Sequence, residues 1–303
     1  MSGGDLVSIV LPTYNGSRFL ARALESIQRQ THRNWELLLQ DDCSTDATPE
    51  IIARFAASDP RIKPRRNDVN LRLPRSLNAG FARASGAFLT WTSDDNEFRP
   101  EALEAMLDAL RRRPEAGLVY ADMTYISDDD QVLERWTAPE PGRIGSDNVV
   151  AGCFLYRREV RDAVGDYDDR WRLVEDWDYW LRVSNRFPLI VLNRDLYLYR
   201  RHAGSLTATR AAEIQRIRME LLAVRLPDLA GVSPRQRAAA YLTLSRWAAD
   251  LGEPSRADAF ARRAMALDPL RTSAVVAARR VLGAGRLGLV RRWWQRITHR
   301  NPA

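Results

Sequence analysis

Short apolar runs alternate with segments of helical period along the first two thirds of the chain. Leu6 to Leu11 predicts a buried strand, and Leu20, Leu24 and Ile27 follow at helical spacing. Trp35 to Leu39 predicts a second strand. Thr48 followed by Pro49 predicts a helix start, with Thr48 as N-cap and Pro49 preset for the first turn. Ala87 to Trp91 and Leu118 to Ala121 predict further strands; between them Pro100 opens a helix with Leu103, Met106, Leu107 and Leu110 on one face. Strands alternating with helices imply right-handed βαβ units, hence an α/β fold with a mostly parallel sheet flanked by helices. Such sheets take ligands in the crevice beyond the carboxyl ends of their strands, so polar clusters just after strands are the places where chemistry is expected.

Near residue 205 the strand pattern stops and helix formers take over, which predicts two regions, 1–205 and 206–303. Within the second, the window from Ala238 to Arg271 places Tyr241, Leu244, Gly252, Ala257, Ala264 and Pro269 much as a tetratricopeptide-like helical hairpin does. Solenoids need about three such units, so one hairpin packed on a larger domain is the expectation.

The 303 residues, 45% hydrophobic and 28% charged, suffice for a core that needs no staples. Two cysteines, Cys43 and Cys153, exclude a disulfide framework and a cysteine-rich zinc site, and a reducing cytoplasm is the expected setting. The opening MSGGDLVSIVLP has no basic stretch before its apolar run, and no run approaches the roughly 18 apolar residues of a membrane span, so neither secretion nor integral insertion is expected. The net charge of +7 is uneven: from Leu206 onward 18 arginines face 7 acidic residues, leaving residues 1–205 with 28 basic against 32 acidic. A basic tail on an acidic front suggests an anionic contact for the tail or, equally, a solvated arginine-rich surface. In residues 288–303, Leu289, Val290, Trp293, Trp294 and Ile297 form an apolar stripe beside Arg291, Arg292, Arg296 and Arg300. Paired tryptophans next to arginines suit peripheral contact with an anionic membrane at the inner face of the plasma membrane; packing on the preceding hairpin is the other reading. Nucleic acid is not expected as a partner. Gly283, Gly285 and Gly288 spell a dinucleotide-binding pattern, but too little chain follows them for the βαβ unit it needs, and no Walker phosphate loop is present.

Four polar clusters remain. Pro12-Thr13-Tyr14-Asn15 follows the first strand, where Pro12 is expected to halt the strand and leave backbone groups free for a flat ring or a phosphate; a plain strand-to-helix turn explains it as well. Asp41-Asp42-Cys43-Ser44-Thr45-Asp46 follows the second; its three carboxylates repel one another unless cations or donors compensate them, and a helix cap by Ser44 or Asp46 explains only one. Thr92-Ser93-Asp94-Asp95-Asn96 follows AFLTW, and paired carboxylates at a strand end suit Mg²⁺ or Mn²⁺, although an acidic turn is an alternative for any single Asp-Asp pair. In EDWDYWLR, Trp177, Trp180 and Leu181 share a core face, while Glu175 and Asp176 sit at a helix N-terminus, where the dipole favours anions and simple capping is the plain alternative.

Together these segments resemble the family 2 glycosyltransferases, inverting enzymes of the GT-A fold that use nucleotide-diphosphate sugars. The resemblance covers about residues 5–205 and rests on VSIVLPTYNGSRFLARALESIQRQTHRNWELLLQDDCSTDAT, SLNAGFARASGAFLTWTSDDNEFRPEAL, LVEDWDYWLRV and YRRH, in the family's order. It implies that Pro12, Thr13, Tyr14 and Asp42 hold the nucleoside, with Arg72 at the base or diphosphate. It implies Asp94 at the ribose or a metal-bound water, Asp95 on the divalent cation, Mn²⁺ or Mg²⁺, and Asp176 as general base. His202 is assigned to the diphosphate or metal and Glu175 to the acceptor or donor sugar. Many relatives carry Asp where Thr92 stands, which shifts metal ligation onto Asp94 and Asp95.

The chemistry agrees. A departing nucleoside diphosphate needs its charge neutralised, which a divalent ion does as a Lewis acid, and the attacking hydroxyl must lose its proton to one base on the opposite face, which inverts the anomeric centre. The expectation is a metal-assisted transfer from a nucleotide-sugar, UDP-linked first, to a carbohydrate, lipid-linked or protein acceptor in bacterial polysaccharide, glycolipid or glycoprotein assembly. A sugar nucleotidyltransferase, or a binding protein that kept the fold, is the alternative.

Overall fold

The computed structural model describes residues 5–270 and Thr272, and its sheet is built outward from β1 (Val7–Thr13), every residue of which is buried. β1 lies parallel between β2 (Trp35–Asp41) and β4 (Phe88–Trp91), and β3 (Ile62–Arg66) extends the sheet beyond β2, also in parallel. On the other side β8 (Phe154–Arg157) pairs antiparallel with both β4 and β6 (Leu118–Ile126). β9 (Leu189–Arg200) then runs parallel to β6, with β5 (Glu97–Phe98) antiparallel along its far end. The order is β3-β2-β1-β4-β8-β6-β9-β5, with β7 (Val132–Trp136) as a hairpin arm on β6. The parallel βαβ pattern thus governs the first half, and excursions from β6 onward add the antiparallel pairs that make the sheet mixed.

Alternation in β1 sorts the helices onto two faces. Val7, Ile9 and Leu11 join one cluster with α1 (Leu20–Gln28), α2 (Thr48–Ser58) and α4 (Ala102–Arg112), through Leu24, Ile27, Phe55, Leu103, Met106 and Leu110. Val10 points the other way, onto α3 (Leu73–Phe81), where a Cβ on Gly80 would lie 2.4 Å from its methyl. On that face Phe81, Phe154, Tyr156, Tyr167, Tyr179 and Trp180 stack in one aromatic cluster, which seats α6 (Glu175–Ser184) and buries the expected Trp177, Trp180 and Leu181. α5 (Arg158–Val164) follows β8 directly.

Several boundaries differ from expectation. β1 does not stop at Pro12 but runs to Thr13, paired with Asp41. The C=O of Thr13 accepts from Asp42 on the β2 side, so by alternation Pro12 faces β4, which has already ended at Trp91, and its missing N–H deprives no strand of a bond. Thr48 is the first residue of α2 and Ala47 its N-cap; Asp46, one residue earlier, takes the Thr48 N–H at 3.0 Å. α4 begins at Ala102, two residues after Pro100. β3 carries a single buried residue, Ile62, and no apolar run announces it.

The chain packs as two units, Met1–Ile217 and Arg218–Ala303, divided inside α8 (Ala211–Arg225), which follows the short α7 (Leu206–Thr209). In the second unit α9 (Pro234–Asp250) and α10 (Pro254–Leu267) form a helical hairpin that starts four residues before the window marked from Ala238. Ser233 and Gln236 make a reciprocal capping box at α9, Gly252 takes the left-handed turn, and Ser245 bonds the Ala257 carbonyl at 2.8 Å. No helix among the described residues is long and apolar enough to cross a membrane. The glycine pattern at 283–288 and the basic tail 288–303 lie outside the described residues.

At the amino ends of the strands a buried carboxylate, Glu36 on β2, accepts from Ser8 (2.6 Å), from the Ser85 amide (2.6 Å) and hydroxyl (2.8 Å), and from Lys63 (2.6 Å). Burial disfavours its charge, but the Lys63, Ser8 and Ser85 bonds outweigh that and hold the carboxyl at about 2. Its contribution to stability is therefore complete above about pH 4.5 and fades as the pH falls toward 2. Glu36→Gln should cost about 2 kcal/mol near neutrality, and thermal melts should show its deficit against wild type shrinking as the pH drops from 5 to 2.5. A deficit that does not change with pH overturns this assignment.

Candidate active site

The carboxyl ends of β1, β2 and β4 meet at one edge of the sheet, and register alone places Thr13 beside Asp41. Asp41 Oδ1 takes the Ser44 amide at 2.9 Å and Oδ2 takes Arg66 at 2.6 Å, so it is spent on structure. Asp42, 4% exposed, takes Asn67 Nδ2 (2.8 Å) and the Leu71 amide (2.8 Å) on one oxygen and the Arg72 amide (2.9 Å) on the other. It thereby holds the loop 67–72 over the end of β2, with Arg72 at φ +70° and its side chain exposed. The loop after β1 is latched to the loop after β2: Asn15 donates to Ser44 Oγ (2.9 Å), and Thr45 donates to Asn15 Oδ1 (2.8 Å). Tyr14, 48% exposed, stands open beside this latch as an aromatic face.

Asp94 and Asp95 follow β4. Asp94 Oδ2 accepts from Thr13 Oγ1 at 2.5 Å, and only a glycine fits at position 16, because a Cβ there would lie 2.1 Å from that oxygen and 2.5 Å from Thr13 Oγ1. Burial, then the neighbouring charge of Asp95, push Asp94 up to about 7, against the Thr13 bond. Burial also raises Asp95, while its bond to His202 opposes the rise; His202 Nε2 lies 3.0 Å from Oδ2. The other oxygen, Oδ1, is buried and has no hydrogen-bond partner. Thr92, where many relatives of the family it resembles carry Asp, is buried and shares a 2.6 Å hydrogen bond with the Tyr197 hydroxyl, so it brings no charge to this edge.

Arg200 is the residue to which sequence reasoning gave no role, although it stands in the YRRH segment. Fully buried at the end of β9, it donates to the Asp95 carbonyl (3.1 Å), Glu97 (2.8 Å), the Ser127 carbonyl (2.9 Å) and Asp130 (2.6 Å). One guanidinium therefore ties the Asp95 turn to the β6–β7 turn. Phe19 packs against it, 4.7 Å from its Cζ, and against the His202 ring at 5.2 Å. One arginine of an adjacent pair before a histidine carries no pattern that announces such a clamp.

The third acidic group begins α6. Asp176 Oδ1 takes the Trp177 amide at 2.7 Å, and Oδ2 takes Asn148 Nδ2 at 2.6 Å. Glu175 beside it is 4% exposed, and its Oε2 is buried without a hydrogen-bond partner; burial, then the charge of Asp176, raise it to about 8. Burial and, among other charges, those of Asp95 and Asp176 raise Tyr199. A Cβ on Gly152, four residues past Asn148, would lie 3.1 Å from Tyr197 and 3.6 Å from Tyr199. Gly152 therefore backs onto β9, where both Asp95 and Asp176 act on the Tyr199 hydroxyl. Asn148, Asn67 and Gly16 act only through tertiary contacts, and no sequence signal marks them.

Six non-glycine residues among those described adopt positive φ: Asn15, Cys43, Arg72, Asp130, Ala151 and Leu173. Each lies in this site, or within three residues of Tyr14, Asp42, Asn148 or Glu175, or on the Arg200 clamp. Such backbone costs about 1–3 kcal/mol per residue and persists where its surroundings over-determine it.

Could a divalent cation sit here? Among the described residues no three His, Cys, Asp or Glu side chains converge to hold one unaided. Asp95 Oδ1 has no hydrogen-bond partner, with Asp94 and His202 beside it, so Mg²⁺ or Mn²⁺ fits here only with most of its ligands drawn from a substrate.

The pattern described as Glycosyl transferase family 2 matches residues 8–165. A Sinorhizobium fredii protein, y4gI, is 27% identical over 222 residues, 70% of this chain, which spans only 24% of that protein's length. WcaA of Escherichia coli, named for a glycosyl transferase of colanic acid biosynthesis, is 33% identical over 189 residues, covering 60% of this chain and 67% of its own. Among solved structures, Staphylococcus aureus TarS 1–349 in complex with UDP-GlcNAc is similar with a TM-score of 0.61 at 17% identity, over 80% of this chain and 71% of that one. The mannosyltransferase PcManGT of Pyrobaculum calidifontis, in complex with GDP-Man and Mn²⁺, has a TM-score of 0.58 at 17% identity, over 95% and 82%. Those likenesses show the GT-A fold.

Two outcomes follow from the geometry. Gly16→Ala must displace Asp94 or Thr13, so thermal melts should place it about 1–3 kcal/mol below wild type; an unchanged melt refutes the packing argument. Glu175, protonated in the fold up to about pH 8 but ionised in the unfolded chain above about 4.5, costs the protein stability as the pH rises between those values. Glu175→Gln removes that cost, so its melting advantage over wild type should grow from pH 5 to 8 and then level off; a constant difference refutes it.

Proposed function

The chain belongs to glycosyl transferase family 2, and from that membership we propose that it moves a sugar from a UDP-sugar to a hydroxyl acceptor by one displacement that inverts the anomeric carbon. Asp176 is the general base. What supports this reading is its carboxylate at the start of α6, held by the Trp177 amide and Asn148, near the end of β9, whose Tyr199 and Arg200 also border Asp95. The helix N-terminus favours its anionic form before the reaction. As the acceptor hydroxyl attacks, Asp176 takes its proton, a contribution of about 10² to 10⁴ in rate for a well-placed base.

On the donor side, Pro12, Thr13 and Tyr14 line the nucleoside subsite, with the Tyr14 ring open for the base, and Asp42 shapes it through loop 67–72. Arg72, held with its side chain free on that loop, reaches toward base or diphosphate. UDP as the nucleotide is supported by the UDP-GlcNAc complex of the structurally similar TarS, and a cation by the Mn²⁺ complex of PcManGT. Asp95, with Asp94 and His202 beside it, holds that divalent cation. When bound, it offsets the charge gathering on the departing diphosphate. Glu175, protonated and buried, lies below the sugar site and leaves Asp176 as the single anion of the pair.

WcaA's name favours an acceptor in polysaccharide assembly over a protein. We further propose that the chain works in the cytoplasm and that residues 288–303, basic and tryptophan-bearing, draw it to the anionic inner face of the plasma membrane where lipid-linked acceptors lie.

Asp176→Asn should lower turnover of a UDP-sugar at least about 100-fold while UDP-sugar affinity stays within twofold; turnover above a tenth of wild type removes Asp176 from the base role. Asp95→Ala should abolish the gain in UDP affinity that Mn²⁺ brings over EDTA in calorimetry. If wild type binds UDP equally with Mn²⁺ and with EDTA, the cation assignment is wrong.

A further inference from the structure

The segment between β7 and β8 carries none of the family's quoted motifs, yet it delivers one side chain to the base. Asn148 Nδ2 lies 2.6 Å from Asp176 Oδ2, 28 positions away in sequence. The two ends of an amide are alike in shape, but here the neighbours decide which is which. Asn148 Oδ1 accepts from the Ala151 amide at 3.3 Å, so the NH₂ end must face the carboxylate. The loop that sets this is firmly held. Ala151 takes a left-handed φ of +50°, Val149 and Val150 are fully buried, and Trp177 Nε1 bonds the Ile144 carbonyl at 3.1 Å, joining the same stretch to the helix that bears Asp176.

Rotation of the Asp176 carboxylate about its Cβ–Cγ bond changes which lone pairs meet an incoming hydroxyl. A second donor on the other oxygen stops that rotation and fixes which lone pairs face an incoming hydroxyl. We propose that Asn148 is the positioning residue for the general base, orienting the Asp176 carboxylate toward the acceptor through its side-chain amide. This rests on the reading of Asp176 as base. An oriented base is worth more than a present one, since a misplacement of about 1 Å at a reacting group costs on the order of 100-fold. Three features set Asn148 apart from a residue that merely closes the loop: its donor end meets the carboxylate, its acceptor end is satisfied within its own loop, and the two valines that follow it already anchor the loop.

The test is steady-state hydrolysis of the UDP-sugar that wild type turns over fastest, with melting temperature and UDP affinity measured alongside. Asn148→Ala should lower kcat about 10- to 100-fold with KM for the donor within twofold and melting within a few degrees. Asn148→Asp should be worse than Ala, because a second carboxylate would face Asp176 in place of a donor. Asn148→Ala added to Asp176→Asn should lower turnover no further. If Asn148→Ala keeps kcat within twofold of wild type, or loses kcat, donor affinity and melting temperature together, the residue is structural and the proposal falls. The base reading is separable: if Asp176→Asn retains turnover, that reading fails whatever Asn148→Ala does, whereas an inactive Asp176→Asn beside a fully active Asn148→Ala sinks only this inference.

Discussion

Negative charge gathered at one edge of a buried sheet is the constraint around which this molecule is arranged. Parallel strands end on the same side, so β1, β2 and β4 bring Asp41, Asp42, Asp94 and Asp95 together, and α6 adds Glu175 and Asp176. Unit charges about 4 Å apart near a protein surface interact by roughly 4 kcal/mol, so each carboxylate must be neutralised, hydrogen-bonded or protonated. The structure uses all three answers. Arg66 takes Asp41, three N–H donors take Asp42, and the Trp177 amide and Asn148 take Asp176. Asp94 and Glu175 have no cationic partner in contact and rise to about 7 and 8, while Asp95 retains one oxygen with no partner at all. The uncompensated charge lies where a cation and a diphosphate are proposed to bind.

Holding that edge together takes rigidity from behind. Arg200 fills this need with one buried head group shared among the Asp95 turn, Glu97 and the β6–β7 turn, and breaking such a buried pair on one side typically costs about 3–5 kcal/mol. Because His202 follows two residues later on the same strand end, the clamp also sets where the imidazole meets Asp95. The six non-glycine residues at positive φ belong to the same arrangement: they bend the loops around the acids, and hydrogen bonds of Asp42, Asn15 and Asn148 hold Arg72, the Asn15–Cys43 latch and Ala151, while Arg200 takes Asp130. The opposite edge is organised by the reverse logic. Glu36 is buried too, but Lys63, Ser8 and Ser85 answer its charge completely, and it stabilises the fold without any opening for chemistry.

Much of this was legible in the order of residues. Mostly apolar runs of four to six residues between helical periods announce β1, β2, β4 and the start of β6, because a strand buried on both faces is apolar at most of its positions. Acidic clusters after those strands mark the candidate edge, because that position is where an α/β sheet leaves room for a ligand. The four motifs in order carried the family. Their spacing needed no coordinates.

What the sequence could not determine is whatever depends on residues far apart meeting. β3 and β8 hold few apolar residues or few residues at all, and only the neighbouring strands supply their pairing and direction, so the mixed character of the sheet waited on the structure. Pro12 looked like a strand end because a missing N–H counts against a strand; it is tolerated because β4 has already stopped on the side it faces. Arg200, Gly16 and Asn148 are ordinary residues in isolation. Arg200 becomes a clamp only where Asp95, Glu97 and Asp130 surround it, Gly16 is obligatory only because Asp94 sits where its Cβ would be, and Asn148 orients a carboxylate only because a loop with no motif folds back on α6. Local composition decides what a segment prefers to be, and long-range packing decides what its side chains face, which is why the family and the acids could be read from the chain and the partners that position those acids could not.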